Sequence, residues 1–193
     1  DIYFDLNKYE KVDRIIKQNV YLLIMKRFHR TLFLILVTFT TLSSFSQENK
    51  LHTTWSELLS KNVDSSGHVN YQGFIDEKVK FHSYLCALEQ EAPKEDWTEN
   101  EKLAYWINTY NAFTIELIID NYPVESIKEL GGKLFKINTA WDIKFISIKG
   151  RKYDLNNIEH GIIRKDFDEP RIHFAVNCAS VSCPKLRDEA YVG

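Results

Sequence analysis

One segment constrains the fold more than any other. From Thr98 the chain reads TENEKLAYWINTYNAFTIELIIDNYP, a stretch that is apolar on almost every side once wound into a helix. Thr98 with Glu101 three residues on forms a capping box, in which each side chain satisfies the other residue's exposed backbone N–H. The pattern predicts a helix from there through Tyr122. It stops before Pro123, because the residue ahead of a proline is pushed out of helical geometry. Leu103, Ile107, Tyr110, Thr114, Leu117 and Ile118 recur at intervals of three and four, and most of the other positions are apolar too. A helix without a polar face is a central one. The rest of the chain is expected to pack around it.

The flanks divide by character. Ahead of the helix, Thr54 to Leu59 reads as a short amphipathic helix, Asp64–Gly67 as a turn and His68–Tyr71 as a short extended piece. Phe74 to Glu91 has helical spacing of apolar residues and ends at Pro93. After Gly131–Gly132, Leu134 to Ile137 and Ile143 to Ile148 are β-branched and aromatic and read as strands. Gly150–Arg151 turns the chain, and Asp154 caps a short helix from Leu155 to Arg164. Arg171 to Asn177 reads as a strand running into Cys178. Helices come first and strands later, so the expected class is α+β. N-terminal helices pack around the central helix, followed by a small β-sheet that bears the His173–Cys183 segment.

With 44% hydrophobic and 13% aromatic residues, the 193-residue chain can build one real core. Seven Gly and four Pro exclude collagen-like or linker material, and three Cys are too few for a disulfide-stapled mini-scaffold. The net charge of −2 leaves no electrostatic footprint for nucleic acid.

The single methionine is Met25. Behind it stand Lys26, Arg27, His29 and Arg30, then a twelve-residue apolar run from Thr31 to Leu42, then Ser44-Phe45-Ser46 ahead of Gln47. Positive, apolar, small is the order of a secretory signal peptide, and the apolar run is too short to span a bilayer. Residues 25–46 are therefore read as a signal peptide and residues 1–24 as upstream translation that is not native protein. Residues 47–193 form the expected single domain, truncated at its C-terminus. That domain carries 18 Lys+Arg against 23 Asp+Glu, which weakens any nucleic-acid or anionic-membrane reading further. The protein is expected to be exported, to the periplasm or beyond, with no stable membrane span after cleavage.

The densest chemistry lies in His173-Phe-Ala-Val-Asn177-Cys178-Ala-Ser-Val-Ser-Cys183-Pro184. A cysteine nucleophile needs an imidazole to hold it as thiolate and a third group to orient that imidazole. On a straight strand His173 lies roughly 16 Å from Cys178, at about 3.3 Å per residue. His160 is the better partner if the preceding helix folds back, with Asn108, Asn111 or Asp142 orienting it. Three other readings stand beside this one. Cys178 and Cys183 form a disulfide across a tight loop, Cys178 is a buried inert thiol, or His160, His173, Cys178 and Cys183 ligate a metal, for which their spacing is poor. Asn108 and Asn111 lie three apart on one face of the central helix, where Asn is a poor interior residue. They are expected to be buried and bonded to another element or to a ligand. No GxGxxG, GxxxxGK[ST], HExxH or GxSxG motif is present, so no cofactor is expected.

At Trp106-Ile-Asn-Thr-Tyr-Asn-Ala-Phe-Thr-Ile115, Tyr122-Pro-Val-Glu-Ser-Ile127, Leu155-Asn-Asn-Ile-Glu-His160 and Arg171 to Pro184 the chain resembles the domain of unknown function 547 family, DUF547. The likeness runs from about Trp55 to Tyr191 in the family's block order. The resemblance implies frequent export in bacterial members, an interaction role in some plant members, and no established activity. The family's motifs concentrate polar residues at the positions of Asn108, Asn111, Glu159, His160, His173, Asn177, Cys178 and Cys183. The expected function is an exported module binding a small molecule or a protein. The rival is a cysteine-dependent hydrolase or acyl transferase, with Cys178 as nucleophile and His160 or His173 as base.

Overall fold

The computed structural model describes residues 14, 17, 21–23, 25–26, 50–131, 139–180 and 182–193. The chain divides into two compact units, Asp1–Gln47 and Glu48–Gly193. In the first, the described residues are helical. The signal-peptide segment Thr31–Ser46 and the strand expected at Leu134–Ile137 lie outside the described residues. Among those described, no helix is long and apolar enough to cross a membrane.

The second unit begins with α1 (Thr53–Asn62), α2 (Tyr71–Asp76) and α3 (Lys78–Gln90). The segment read as one helix from Phe74 to Glu91 is thus two, broken at Glu77, whose backbone leaves helical geometry at φ −104°, ψ 24°. Asn70 caps α2 by accepting from the Gly73 N–H at 3.1 Å. The break lets aromatic side chains from all three helices meet. Trp55 of α1 stacks on Tyr84 of α3 at 5.4 Å, and Phe74 of α2 meets Phe81 edge-on at 5.2 Å. Such contacts add about 0.5–1.5 kcal/mol per pair beyond the area they bury.

The central helix is α4 (Glu99–Ile119), and its capping box is in place. The Thr98 N–H donates to Glu101 Oε2 at 2.6 Å, and the Glu101 N–H to Thr98 Oγ1 at 3.3 Å. Between Ala104 and Ile119 only Trp106 and Glu116 keep appreciable exposure. Helices α2 and α3 pack against it, as do the elements after residue 154. The Tyr105 hydroxyl fixes the crossing with α3 by donating to the Leu88 carbonyl at 2.6 Å.

Short 3₁₀ turns follow at Ile127–Leu130 and Ala140–Asp142. Then β1 (Ile146–Ile148) and β2 (Arg151–Tyr153) pair antiparallel, with Ile146 opposite Tyr153. Lys149 and Gly150 turn the hairpin, both with positive φ (49° and 79°), which the tight twist-matched hairpin turn demands. Ile146 and Ile148 face the core. The class is α+β, and among the described residues the sheet is this two-stranded hairpin. It is shorter than expected at its start, because the Phe145 N–H closes a tight turn onto the Ile143 carbonyl at 3.1 Å.

Asp154 caps α5 (Leu155–Ile158) by accepting from the Asn157 N–H at 2.6 Å. The helix widens into a π-turn, Glu159–Ile163, and finishes as α6 (Arg164–Asp166). The strand expected at Arg171–Asn177 does not form: Pro170–Phe174 is a 3₁₀ turn, and the His173–Cys183 segment lies off the sheet. Pro170 supplies a helical φ at the first position, and Glu169 caps the turn by accepting from the Arg171 N–H at 2.8 Å. Phe174 is 69% exposed while Ile172 and Val176 are buried, four residues apart. That is helical spacing.

Candidate functional site

Two asparagines of α4 organise the site. Both are buried, and each uses its amide as a two-point clamp on backbone from the far end of the chain. Asn108 donates to the Tyr191 carbonyl at 2.8 Å and accepts from the Tyr191 N–H at 3.0 Å. Asn111 donates to the Ala175 carbonyl at 2.9 Å and accepts from the Asn177 N–H at 2.8 Å. A primary amide carries one donor face and one acceptor face, so it can replace a neighbouring strand for one stretch of backbone. That is why two Asn are tolerated on an apolar helix. Ser56 of α1 adds a third tie, accepting from the Ala190 N–H at 3.1 Å.

Asn177 carries the network onward. Its amide donates to the Pro184 carbonyl at 2.8 Å, and its side-chain oxygen accepts from the Ala179 N–H at 2.9 Å. The loop between is closed a second time by a disulfide joining Cys178 to Cys183. Of the readings left open by the sequence, the structure has the disulfide. A thiolate at Cys178 requires that bond to be broken first.

His160 lies on the π-turn and His173 on the 3₁₀ turn, both exposed, with His173 edge-on to Phe174 at 5.4 Å. Among the described residues, neither ring makes a hydrogen bond to a cysteine sulfur, and no group of three or more His, Cys, Asp or Glu is gathered as a metal would need. The set His160, His173, Cys178 and Cys183 therefore does not assemble into a metal site. The reason is chemical as well as geometric, because disulfide sulfurs are not thiolate ligands. Asp142 is occupied elsewhere, accepting from Thr139 and from the Asn156 amide at 2.7 Å.

Two features were not read from the sequence. The first is a polar group built on the π-turn beside α4. The π-turn inserts one residue, so side chains five apart stack: Arg164 donates from Nε and Nη2 to Glu159 Oε1 at 2.9 and 2.8 Å. The Tyr110 phenol of α4 faces this pair, and burial followed by the Glu159 charge pushes it well above the ordinary tyrosine range. The sequence signal was Glu159 followed five residues later by Arg164, a spacing that an α-helix does not bring together.

The second is a groove of about 400 Å³ between the first turns of α4, the 3₁₀ turn and the Tyr191–Gly193 segment held by Asn108. Leu103, Ile107 and Ile172 line it together with the exposed Phe174 and Val192, and Arg171 and Arg187 supply charge. Glu169 pairs with Arg171 and is held down to about 2 by that guanidinium. Arg187 lies over the Tyr191 ring at 4.6 Å and pairs with Glu189.

The family model described as "Protein of unknown function, DUF547" matches residues 94–193. The chain belongs to the DUF547 family. The matched stretch of this DUF547 domain begins just ahead of α4 and takes in both asparagine clamps, the π-turn and the disulfide loop. No curated protein and no solved structure matches the chain.

Proposed function

We propose that this DUF547 domain is an exported binding module whose ligand or partner sits in the groove beside Asn108. The observation that carries the reading is the groove itself. It is open, Leu103, Ile107 and Ile172 line it together with charged Glu169, Arg171 and Arg187, and Phe174 and Val192 at it are solvent-exposed. Apolar surface with a few placed polar groups is the usual make-up of a binding site. Its walls are also held rigidly, since Asn108 and Asn111 fix Tyr191 and Ala175 against α4. The disulfide supports binding over covalent catalysis, because it leaves Cys178 without a thiolate.

A fragment library screened by NMR on the native domain should shift resonances of Phe174, Val192 and Ile107. Phe174→Ser should weaken the best fragment at least about fivefold, the loss expected when one large apolar contact of about 1 kcal/mol or more is removed. Hits mapping elsewhere and indifferent to Phe174→Ser would reject the groove. Ester hydrolysis by the native domain that vanishes in Cys178→Ala would replace binding with the hydrolase reading. Export is checked separately. The secreted form should begin at or near Gln47, and a mature protein beginning at Asp1 would refute the signal peptide.

A further inference from the structure

We infer that the Cys178–Cys183 disulfide is a thiol–disulfide exchange site, which oxidises an accessible thiol pair and does so without the domain unfolding. Three observations carry this. Both cysteines are half-buried rather than sealed in the core. The loop does not depend on that bond for its closure. Asn177 ties its start to the Pro184 carbonyl on the far side, and Asn111 ties Asn177 to the central helix. A disulfide whose ends are held by other means can open while the surrounding backbone stays in place.

The third observation sets the direction of attack. The Cys178 backbone N–H donates to Cys183 Sγ at 3.2 Å. A hydrogen bond aimed at a sulfur favours its charged form, so Cys183 is the better leaving thiolate and Cys178 Sγ is the sulfur attacked. One thiolate of a dithiol attacks Cys178 Sγ, a new S–S bond forms, the Cys178–Cys183 bond breaks, and its electron pair leaves on Cys183 Sγ. The second thiolate of the dithiol then attacks the dithiol's first sulfur in the mixed disulfide, closing the dithiol's own S–S bond and displacing Cys178 as thiolate. The dithiol has lost two electrons and two protons, and the cysteine pair has gained both. Cys86 takes no part. It lies on α3 with its sulfur 3.4 Å from His82 Nδ1, and it serves as an internal reference thiol.

The test uses the whole chain, oxidised and folded, with reduced dithiothreitol as dithiol and glutathione as monothiol. Acid-quenched samples are alkylated and mass-mapped while near-UV circular dichroism follows the fold. The expected result with dithiothreitol is two new alkylated cysteines, Cys178 and Cys183, with the near-UV spectrum retained. With glutathione, the trapped adduct should sit on Cys178, with Cys183 alkylated, in at least tenfold excess over the reverse arrangement. In the Cys183→Ser chain, Cys178 should still form a glutathione adduct with glutathione disulfide. Reduction that occurs only as the near-UV signal collapses would overturn the proposal. So would an adduct found mainly on Cys183.

Discussion

Asn111→Leu is expected to destabilise the domain by about 2–4 kcal/mol, because it strips the partners from two backbone groups at once. The Ala175 carbonyl and the Asn177 N–H would both lose the side chain that meets them between α4 and the disulfide loop. The leucine fills much of the volume, so the cost comes from desolvated polar groups more than from a cavity. Asn108→Leu should cost a similar amount through the Tyr191 N–H and carbonyl. The comparison variant is Thr114→Val. Its hydroxyl is equally buried but donates only to the Tyr110 carbonyl within α4, which already receives a helical hydrogen bond. It should cost less than about 1 kcal/mol. Urea unfolding monitored by tryptophan fluorescence measures all three. If both asparagine variants unfold at the wild-type midpoint, the clamps contribute nothing to holding the C-terminal segments. A loss of 2–4 kcal/mol is a large part of the total for a domain of this size, typically 5–15 kcal/mol.

What was legible in the sequence was local. The capping box at Thr98, the cap at Asp154 and the apolar wrap of α4 depend on residues close together in the chain, and the structure has each of them. The two asparagines were also visible as residues out of place on an apolar helix. Their partners were not, since Tyr191 and Ala175 lie more than sixty residues away and offer only backbone. In Arg171–Asn177, Ile172, Phe174 and Val176 alternate as strand residues do, yet the segment is not a strand. A proline with a capping Glu ahead of it outweighed three alternating side chains. The π-turn shows the same limit in another form. A one-residue insertion in a helix leaves no signature in periodicity over so short a stretch, yet it decides that Glu159 meets Arg164. The groove could not be read at all, because its walls come from three separated segments.

The second large effect is a stability that peaks near neutral pH and falls on the acid side, with His52 as a principal cause. His52 is buried at the start of α1, against the Tyr84 hydroxyl at 2.9 Å, and burial lowers it from 6.5 to about 4. A histidine whose folded value is depressed stabilises the fold fully above its unfolded value, and that contribution is lost as pH falls through the folded one. The window is therefore pH 6.5 down to 4, and the loss across it amounts to about 3 kcal/mol. Glu116 works in the opposite sense. It is the acidic interruption in α4, and burial, then Asp120 and Glu89, push its carboxyl up to about 7, with Lys78 opposing. A raised carboxyl favours the protonated fold. Its penalty is absent at low pH, accrues as pH rises from about 4.5 to 7, and is complete above that. Because Glu116 is partly exposed, solvent screening reduces it to about 1–2 kcal/mol. His52→Gln should flatten the acid limb relative to wild type. Glu116→Gln should raise stability by about 1–2 kcal/mol at pH 8 and leave pH 4 nearly unchanged. Urea midpoints across pH 4 to 8 test both, and NMR titration of the His52 ring tests the cause directly. A His52 ring that titrates at its ordinary value, with a His52→Gln curve parallel to wild type, would show that the buried imidazole is not the source of the acid limb.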